Sequence, residues 1–220
     1  MLWWEGDKLI IDLHVHTKEL SPDADRDAEE AIREAKEKGL DGICFTDHNR
    51  AWSVEDTEKL SKKWDFVVIG GMEVDTAEGH MLVFGLHEDI KKTMHVSQLR
   101  QMVDKVGGVI VFAHPFKSFL MFGMSDISLD VEQASARPAL KVVDALEAFS
   151  GRAGESENRL AQDVAKKLGM KGTGGSDGHR PGEIGRCVTI FENDIKNEAE
   201  LIAELKAGRF SADYFVGGKR

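Results

Sequence analysis

The chain is poor in cysteine, with only Cys44 and Cys187 among its 220 residues. Two cysteines cannot build the dense disulfide framework of a small secreted domain. Apolar neighbours flank both, so we expect buried free thiols in a reducing compartment. The same scarcity argues against a structural zinc site made of thiolates.

Long apolar runs are also missing, and none approaches the roughly 18 residues that a membrane span requires. The first residues, MLWWEGDK, lack the basic region and the apolar segment of a secretory signal. We therefore expect a cytoplasmic protein that has no membrane partner.

Positive charge is in deficit, because the formal net charge at pH 7 is −10. Nonspecific nucleic-acid binding depends on lysine and arginine that neutralise phosphates. We therefore expect no extended nucleic-acid surface. If an acidic protein of this kind binds a phosphate group, it needs local positive charge from metal ions or from a few placed arginines.

What the chain does contain is an alternation of short apolar runs and charged amphipathic stretches. KLIIDLHV and GVIVFAHP predict strands, and RDAEEAIREAKEKG predicts a helix. This repetition favours a parallel sheet covered by helices, either an α/β barrel or an open doubly wound sheet. No linker interrupts it, so we expect a single domain over residues 1–220. Segment 116–140, which is rich in Phe and Met, shows no clear period.

Polar residues gather at the ends of the predicted strands. In IIDLHVHT, two histidines stand two residues apart, so their side chains share one face of the strand. Residues at or just beyond strand ends are His14, His16, Asp23, Asp47, His48, Glu73, His114, Asp177 and His179. His80 begins its run instead, as in an antiparallel strand, and His87 and His95 are predicted to be surface residues.

The carboxyl ends of parallel strands meet at one rim, so we expect these side chains to converge there. Carboxylates at close range raise one another's pKa, and buried neutral imidazoles each need a partner, so divalent cations would stabilise the cluster. Imidazole and carboxylate ligands suit Zn, Mn or Fe. Asp12, just before the first histidine pair, is either a turn former or a partner that orients an imidazole.

Seven motifs follow one another between residues 12 and 179: DLHVHT, SPDA, GICFTDHN, GMEV, GHMLVFG, VFAHP and GGSDGH. Their order and type resemble the PHP family, the polymerase and histidinol phosphatase superfamily of metal-dependent phosphoesterases. The resemblance implies an α/β fold in the form of a distorted TIM-like barrel with about seven βα units.

The resemblance also implies three divalent metal ions held by nine ligands. The first ion would be bound by His14, His16, Glu73 and Asp177. The second would share Glu73 and add His80 and His114. The third would be bound by Asp23, His48 and His179.

The expected reaction is hydrolysis of a phosphate monoester on a small phosphorylated metabolite or nucleotide, by a hydroxide that the ions generate. We expect Glu73, Asp177 and Arg152 to be the catalytic residues. Arg152 follows the sixth predicted strand, and its guanidinium suits a phosphate. Lys117 and Arg180 are further candidates for binding the substrate.

Two other functions stay open. Some polymerase-attached PHP domains have lost ligands, so the chain could be a catalytically weak metal-binding module of a nucleic-acid-processing assembly. Amidohydrolase-type barrels also begin with HxH, but they usually bridge their metals with a lysine, where this chain offers Glu73.

Segment 116–140 stands where small nucleotide phosphatases of the family usually carry a larger helical insert. It is predicted to be either a lid or stacking wall, or core packing or an oligomer contact.

Overall fold

The computed structural model describes residues 8–117, 130–215 and 217 of the chain. In these ranges the strands are β1 Leu9–Val15, β2 Gly42–Phe45, β3 Val67–Gly70, β4 Met72–Thr76, β5 Gly79–Phe84, β6 Val109–Phe112, β7 Ala145–Ser150, β8 Gly172–Gly175, β9 Cys187–Phe191 and β10 Phe210–Tyr214. The helices are α1 Ala28–Lys38, α2 Val54–Trp64, α3 Val96–Val106, α4 Val131–Ser135, α5 Glu155–Leu168 and α6 Glu198–Ala207, with a 3-10 turn at Pro138–Lys141.

The strands form two mixed five-stranded sheets. The first has the order β10-β9-β1-β2-β3, and the second has the order β4-β5-β6-β7-β8. In the first sheet β1, β2 and β3 are parallel, while β9 runs antiparallel to both β1 and β10. In the second sheet β6, β7 and β8 are parallel, while β5 runs antiparallel to β4 and β6. The start of β5 therefore lies at the same edge as the ends of its neighbours.

The predicted TIM-like barrel of about seven βα units is wrong. Over the described ranges the strands form two separate sheets, and the isolated bridges His48–Glu73 and Val15–Gly178 cross between them without a continuous ladder. The stretch DFVVIGGMEVD divides at Gly71 into β3 and β4 of different sheets. Strand β10 was not predicted, because FSADY is short and follows the last helix directly.

Local sequence explains the helices that cover the sheets. In α1 the Asp27 side chain accepts the backbone N–H of Glu30, and the Glu30 side chain accepts that of Asp27, which together form a capping box. The helix ends at Gly39, whose φ of 87° glycine adopts without strain. Its buried residues recur every three or four positions: Ala28, Ala31, Ile32 and Ala35. This spacing places one apolar face against the first sheet.

The two sheets share an apolar layer. Leu13 of β1 and Leu82 of β5 belong to the same buried cluster, together with Leu201 of α6. Helix α1 packs on the outer face of the first sheet, whereas α3 and α5 pack on the second. Among the helices that the structure describes, none has both the length and the apolar character needed to cross a bilayer.

A buried hydroxyl links the two sheets where β8 lies beside β9. Thr189 Oγ1 accepts a hydrogen bond from the backbone N–H of Gly174 and donates one to its carbonyl oxygen, each at 2.9 Å. A Cβ atom on Gly174 would lie 2.4 Å from the carbonyl oxygen of Val188, so only glycine allows this approach. The Thr189 hydroxyl thus satisfies two polar groups at the edge of the second sheet.

Substitution of Thr189 by Val should lower the free energy of unfolding by about 1–3 kcal/mol, because it leaves the N–H and C=O of Gly174 buried without this partner. Urea denaturation of both proteins measures the difference. Thr57→Val is the matched control, since the buried Thr57 hydroxyl donates only to carbonyls of its own helical turn. Equal losses in the two variants would contradict the role given to Thr189.

Candidate metal centre

Four buried side chains bring one ligand atom each to a common point: His14 from β1, His16 directly after β1, Glu73 from β4 and Asp177 after β8. The two Nε2 atoms are 3.1 Å apart. Glu73 Oε2 lies 3.4 Å from the first and 3.2 Å from the second, and Asp177 Oδ1 lies 3.6 and 3.5 Å from them. A tetrahedral zinc ion with bonds of about 2.0–2.2 Å separates its ligands by about 3.3–3.6 Å. The spacing therefore fits a divalent cation.

The second carboxylate oxygen of Glu73 faces a different group of ligands. Its Oε1 lies 2.9 Å from His114 Nε2 and 3.0 Å from His80 Nδ1. His80 reaches this point because β5 runs antiparallel to β4, as its position in the sequence indicated. Glu73 thus presents one oxygen to each of two neighbouring groups, which is the arrangement of a bridging carboxylate.

A third group lies on the solvent side. Ligand atoms of His16, His48 and His179 lie within 4.8 Å of one another. Asp23 Oδ2 is 3.1 Å from His179 Nε2 and 3.6 Å from His48 Nε2. All nine predicted ligands are therefore found in three adjoining groups, although His16 adjoins the third group as well as the first. Which ion each residue binds stays a prediction.

Two of these residues have a strained backbone conformation. His114 has a φ of 26° and Asp177 a φ of 51°, in the left-handed region that residues other than glycine rarely adopt. Such conformations cost about 1–3 kcal/mol each and occur mainly at functional sites. Gly175 permits the approach of β8 to β1, since a Cβ there would lie 2.4 Å from the Cβ of His14.

Opposite charges stabilise one another in the first group. Burial would raise the pKa of Glu73, but the charge of His14 and the hydrogen bonds from His114 and His14 hold it well below its usual range. Burial would lower the pKa of His14, but the carboxylates of Glu73, Glu147 and Asp177 raise it well above its usual range. The buried carboxylates thus attract positive charge, which protons on the imidazoles or metal cations can supply.

Glu147 of β7 was not among the predicted site residues. Its Oε1 lies 3.0 Å from His14 Nδ1, and its Oε2 accepts the backbone N–H of His114 at 2.8 Å. It is buried, so it fixes both the ring of one predicted ligand and the backbone of another. The available signal was a single carboxylate inside the short run ALEAFS, which forms β7.

Other polar side chains support the ligands from behind. Ser21 Oγ lies 3.2 Å from His16 Nδ1 and accepts the backbone N–H of His48 at 3.0 Å. Asp12 bonds to backbone N–H groups and not to an imidazole ring. Its carboxylate accepts backbone N–H groups of His14, Ser176 and Gly185, and it therefore joins β1 to the loop that carries Asp177.

Asp47 is turned away from the ligand groups. Its carboxylate accepts hydrogen bonds from the backbone N–H and the hydroxyl of Thr17 and from the indole N–H of Trp52, each at 2.7 Å. It therefore fixes the loop between β1 and α1. His87 and His95 are largely exposed, as expected, and pair with Glu198 and Glu78.

The predicted substrate contacts differ in position. Lys117 Nζ lies 2.5 Å from Asp177 Oδ2, directly at the ligand groups. Arg152 is close enough to His179 that its charge, after burial and the charge of His16, helps to lower the pKa of that imidazole. Arg180 is 69% exposed and lies 3.4 Å from Asp25 at the surface.

Of segment 116–140, residues 118–129 lie outside the described residues, and the remainder includes α4 and the 3-10 turn.

Glu147→Gln should weaken metal binding by about 10- to 100-fold, as substitutions of groups that orient metal ligands do. The amide has one acceptor atom where the carboxylate has two, so it cannot serve both His14 and His114. Competition with a chromogenic chelator measures the affinity. The control is Glu204→Gln on α6, which changes a buried carboxylate paired with Arg209. Unchanged affinity in Glu147→Gln would contradict the orienting role.

Comparisons with known proteins give a family match and one similar protein sequence. Residues 155–210 match the family described as PHP-associated. An uncharacterized protein of Methanocaldococcus jannaschii is 28% identical over 171 residues, which cover 73% of this chain and 94% of the relative.

Two solved structures have a similar fold. One is a two-domain protein of Bacteroides vulgatus containing a predicted PHP-like metal-dependent phosphoesterase, with a TM-score of 0.71 and 18% identity. The match covers 94% of this chain and 65% of that one, so this chain spans about two thirds of the two-domain protein. The other is an amidohydrolase of Chromobacterium violaceum with bound sulfate, with a TM-score of 0.64, 14% identity, and coverage of 91% and 96% of the two chains.

Proposed function

We propose that the chain is a member of the PHP family and a metal-dependent phosphoesterase that hydrolyses phosphate monoesters. The observation that carries this proposal is the position of Glu73, whose two oxygens face two separate ligand groups within 2.9–3.4 Å. Neighbouring cations that share a carboxylate are typical of enzymes that hydrolyse phosphate esters.

The three ligand groups would hold three divalent cations, and their imidazole and carboxylate donors suit Zn, Mn or Fe. Bound there, the cations supply a water of lowered pKa and positive charge for the phosphate oxygens. The first group is the most buried, whereas the side chains of His48 and His80 are 25% and 40% exposed. We therefore place the entrance for substrate on the side of His48 and His80.

Lys117 and Arg152 act on different residues of the centre. Lys117 contacts Asp177, and the charge of Arg152 acts on His179 and Glu183. A phosphate between them would accept hydrogen bonds from an ammonium and a guanidinium, which stabilise charge that develops on its oxygens. Arg180, paired with Asp25, is the weakest of the three predicted contacts.

The substrate that fits this chain is small. A net charge of −10 opposes long nucleic acids, while a single phosphate can be drawn to the local cations. We propose a phosphorylated metabolite or a nucleotide as the partner and the cytoplasm as the location.

Loading with Mn²⁺ should allow release of phosphate from p-nitrophenyl phosphate, and chelation should abolish it. Glu73→Gln should lower kcat/KM by at least about 100-fold, because the amide loses the charge and one of the two acceptor oxygens. Phosphate release and metal content are measured on the same samples, with Glu204→Gln as the control.

Each contrary outcome identifies another function. Three bound ions without phosphate release would favour the metal-binding module. One or two bound ions, with hydrolysis of amides in place of phosphate esters, would favour an amidohydrolase.

Lys117→Met and Arg152→Met should each lower kcat/KM about 10- to 100-fold, which corresponds to the loss of one hydrogen bond to a charged group. Metal content should stay unchanged. Arg159→Met is the control, since Arg159 is exposed on α5 and pairs with Glu155. Full activity in both variants would remove these residues from the substrate site.

A further inference from the structure

Arg137, at the entrance of the 3-10 turn, connects the two chain segments that carry His80 and His114. Its Nη1 donates to the carbonyl oxygen of Pro115, and its Nη2 donates to the carbonyl oxygen of Glu78 at 2.8 Å. Pro115 directly follows His114, and Glu78 lies two residues before His80 in the turn between β4 and β5. One planar guanidinium therefore fixes the separation of these two segments.

Aromatic rings hold the guanidinium itself in place. Its central carbon lies 4.7 Å from the ring centroid of Phe112 and 5.7 Å from that of Phe116. Both rings are buried, and they stand two residues before and two residues after His114. A guanidinium stacked on aromatic faces has little freedom to turn, so its two hydrogen bonds are directional constraints.

The backbone at His114 needs such constraints, because its φ of 26° is unfavourable for a residue with a side chain. Glu147 accepts the N–H of His114 on one side, and Arg137 binds the carbonyl of the next residue on the other. The strained residue is therefore fixed from both ends, with its ring nitrogen 2.9 Å from Glu73 Oε1.

We propose that Arg137 is a positioning residue that holds His80 and His114 at the distance from Glu73 that the second cation requires. The proposal rests on the metal centre proposed above. It assigns a role to a residue from segment 116–140 that no ligand motif includes. Arg137 acts through the backbone of the ligands and does not contact the reacting atoms.

The test is titration of the metal-free full chain with Mn²⁺ and measurement of bound metal after dialysis against a fixed free concentration. Arg137→Met keeps the aliphatic stem and removes both hydrogen bonds. We expect one ion to dissociate about 10- to 100-fold more readily while the others bind as in the wild type. Arg137→Lys, which can reach one carbonyl, should give a smaller loss and tests the same role if the Met variant does not fold.

Arg100→Met is the matched control. Arg100 is a mostly buried arginine on α3 that pairs with Asp144 at 2.7 Å and with Asp104 at 2.8 Å, outside the ligand groups. If Arg137 had a merely structural role, Arg137→Met and Arg100→Met would both lower the stability of the chain and would both keep the metal content of the wild type. Selective loss of one ion in Arg137→Met and its partial recovery in Arg137→Lys support the proposal.

Equal metal affinity in wild type, Arg137→Met and Arg137→Lys would overturn it. The ratio of variant to wild-type binding decides the role of Arg137, whatever the wild-type content. The wild-type content alone decides whether the centre holds three ions, so the two proposals fail in different ways.

Discussion

The charge balance around Glu73 is the constraint on which the arrangement of the chain depends. Its carboxylate is buried, and an ionised carboxylate in such a place is costly unless cations or hydrogen-bond donors surround it. The donors come from both sheets: His14 belongs to β1 of the first and His16 directly follows it, and His114 follows β6 of the second. The balance is reached only when the two sheets have packed together, so cation binding and tertiary structure are thermodynamically linked.

Burial differs among the three ligand groups, and this difference has chemical consequences. The first group is enclosed, and its ligand atoms already lie at the spacing that a cation requires. A cation that enters it would therefore exchange its water for donors that are already in place. The third group includes Asp23, whose side chain is 54% exposed. Exposed ligands can rearrange and admit other oxygen atoms, so under the proposed function a substrate would add its own oxygens at this outer group.

The convergence of these side chains could be predicted from the sequence because their placement follows local rules. Alternation along β1 places His14 and His16 on one face, and the ends of parallel strands gather at one edge whatever closes the sheet. The barrel was wrong because strand direction is decided by distant pairing. Strand β9 lies antiparallel beside β1, although nearly 180 residues separate their first residues, and nothing in CVTIFE specifies that neighbour.

Supporting residues are harder to predict than ligands, for the same physical reason. Ligands need a particular donor atom, which restricts their type and makes motifs visible. Glu147 and Arg137 instead satisfy the geometry of the ligands across long sequence separations, 133 residues from His14 to Glu147. Any donor or acceptor of the right reach could take such a place. Their identity therefore depends on the packing around them, as the rings of Phe112 and Phe116 beside Arg137 illustrate, and only coordinates of the folded chain reveal it.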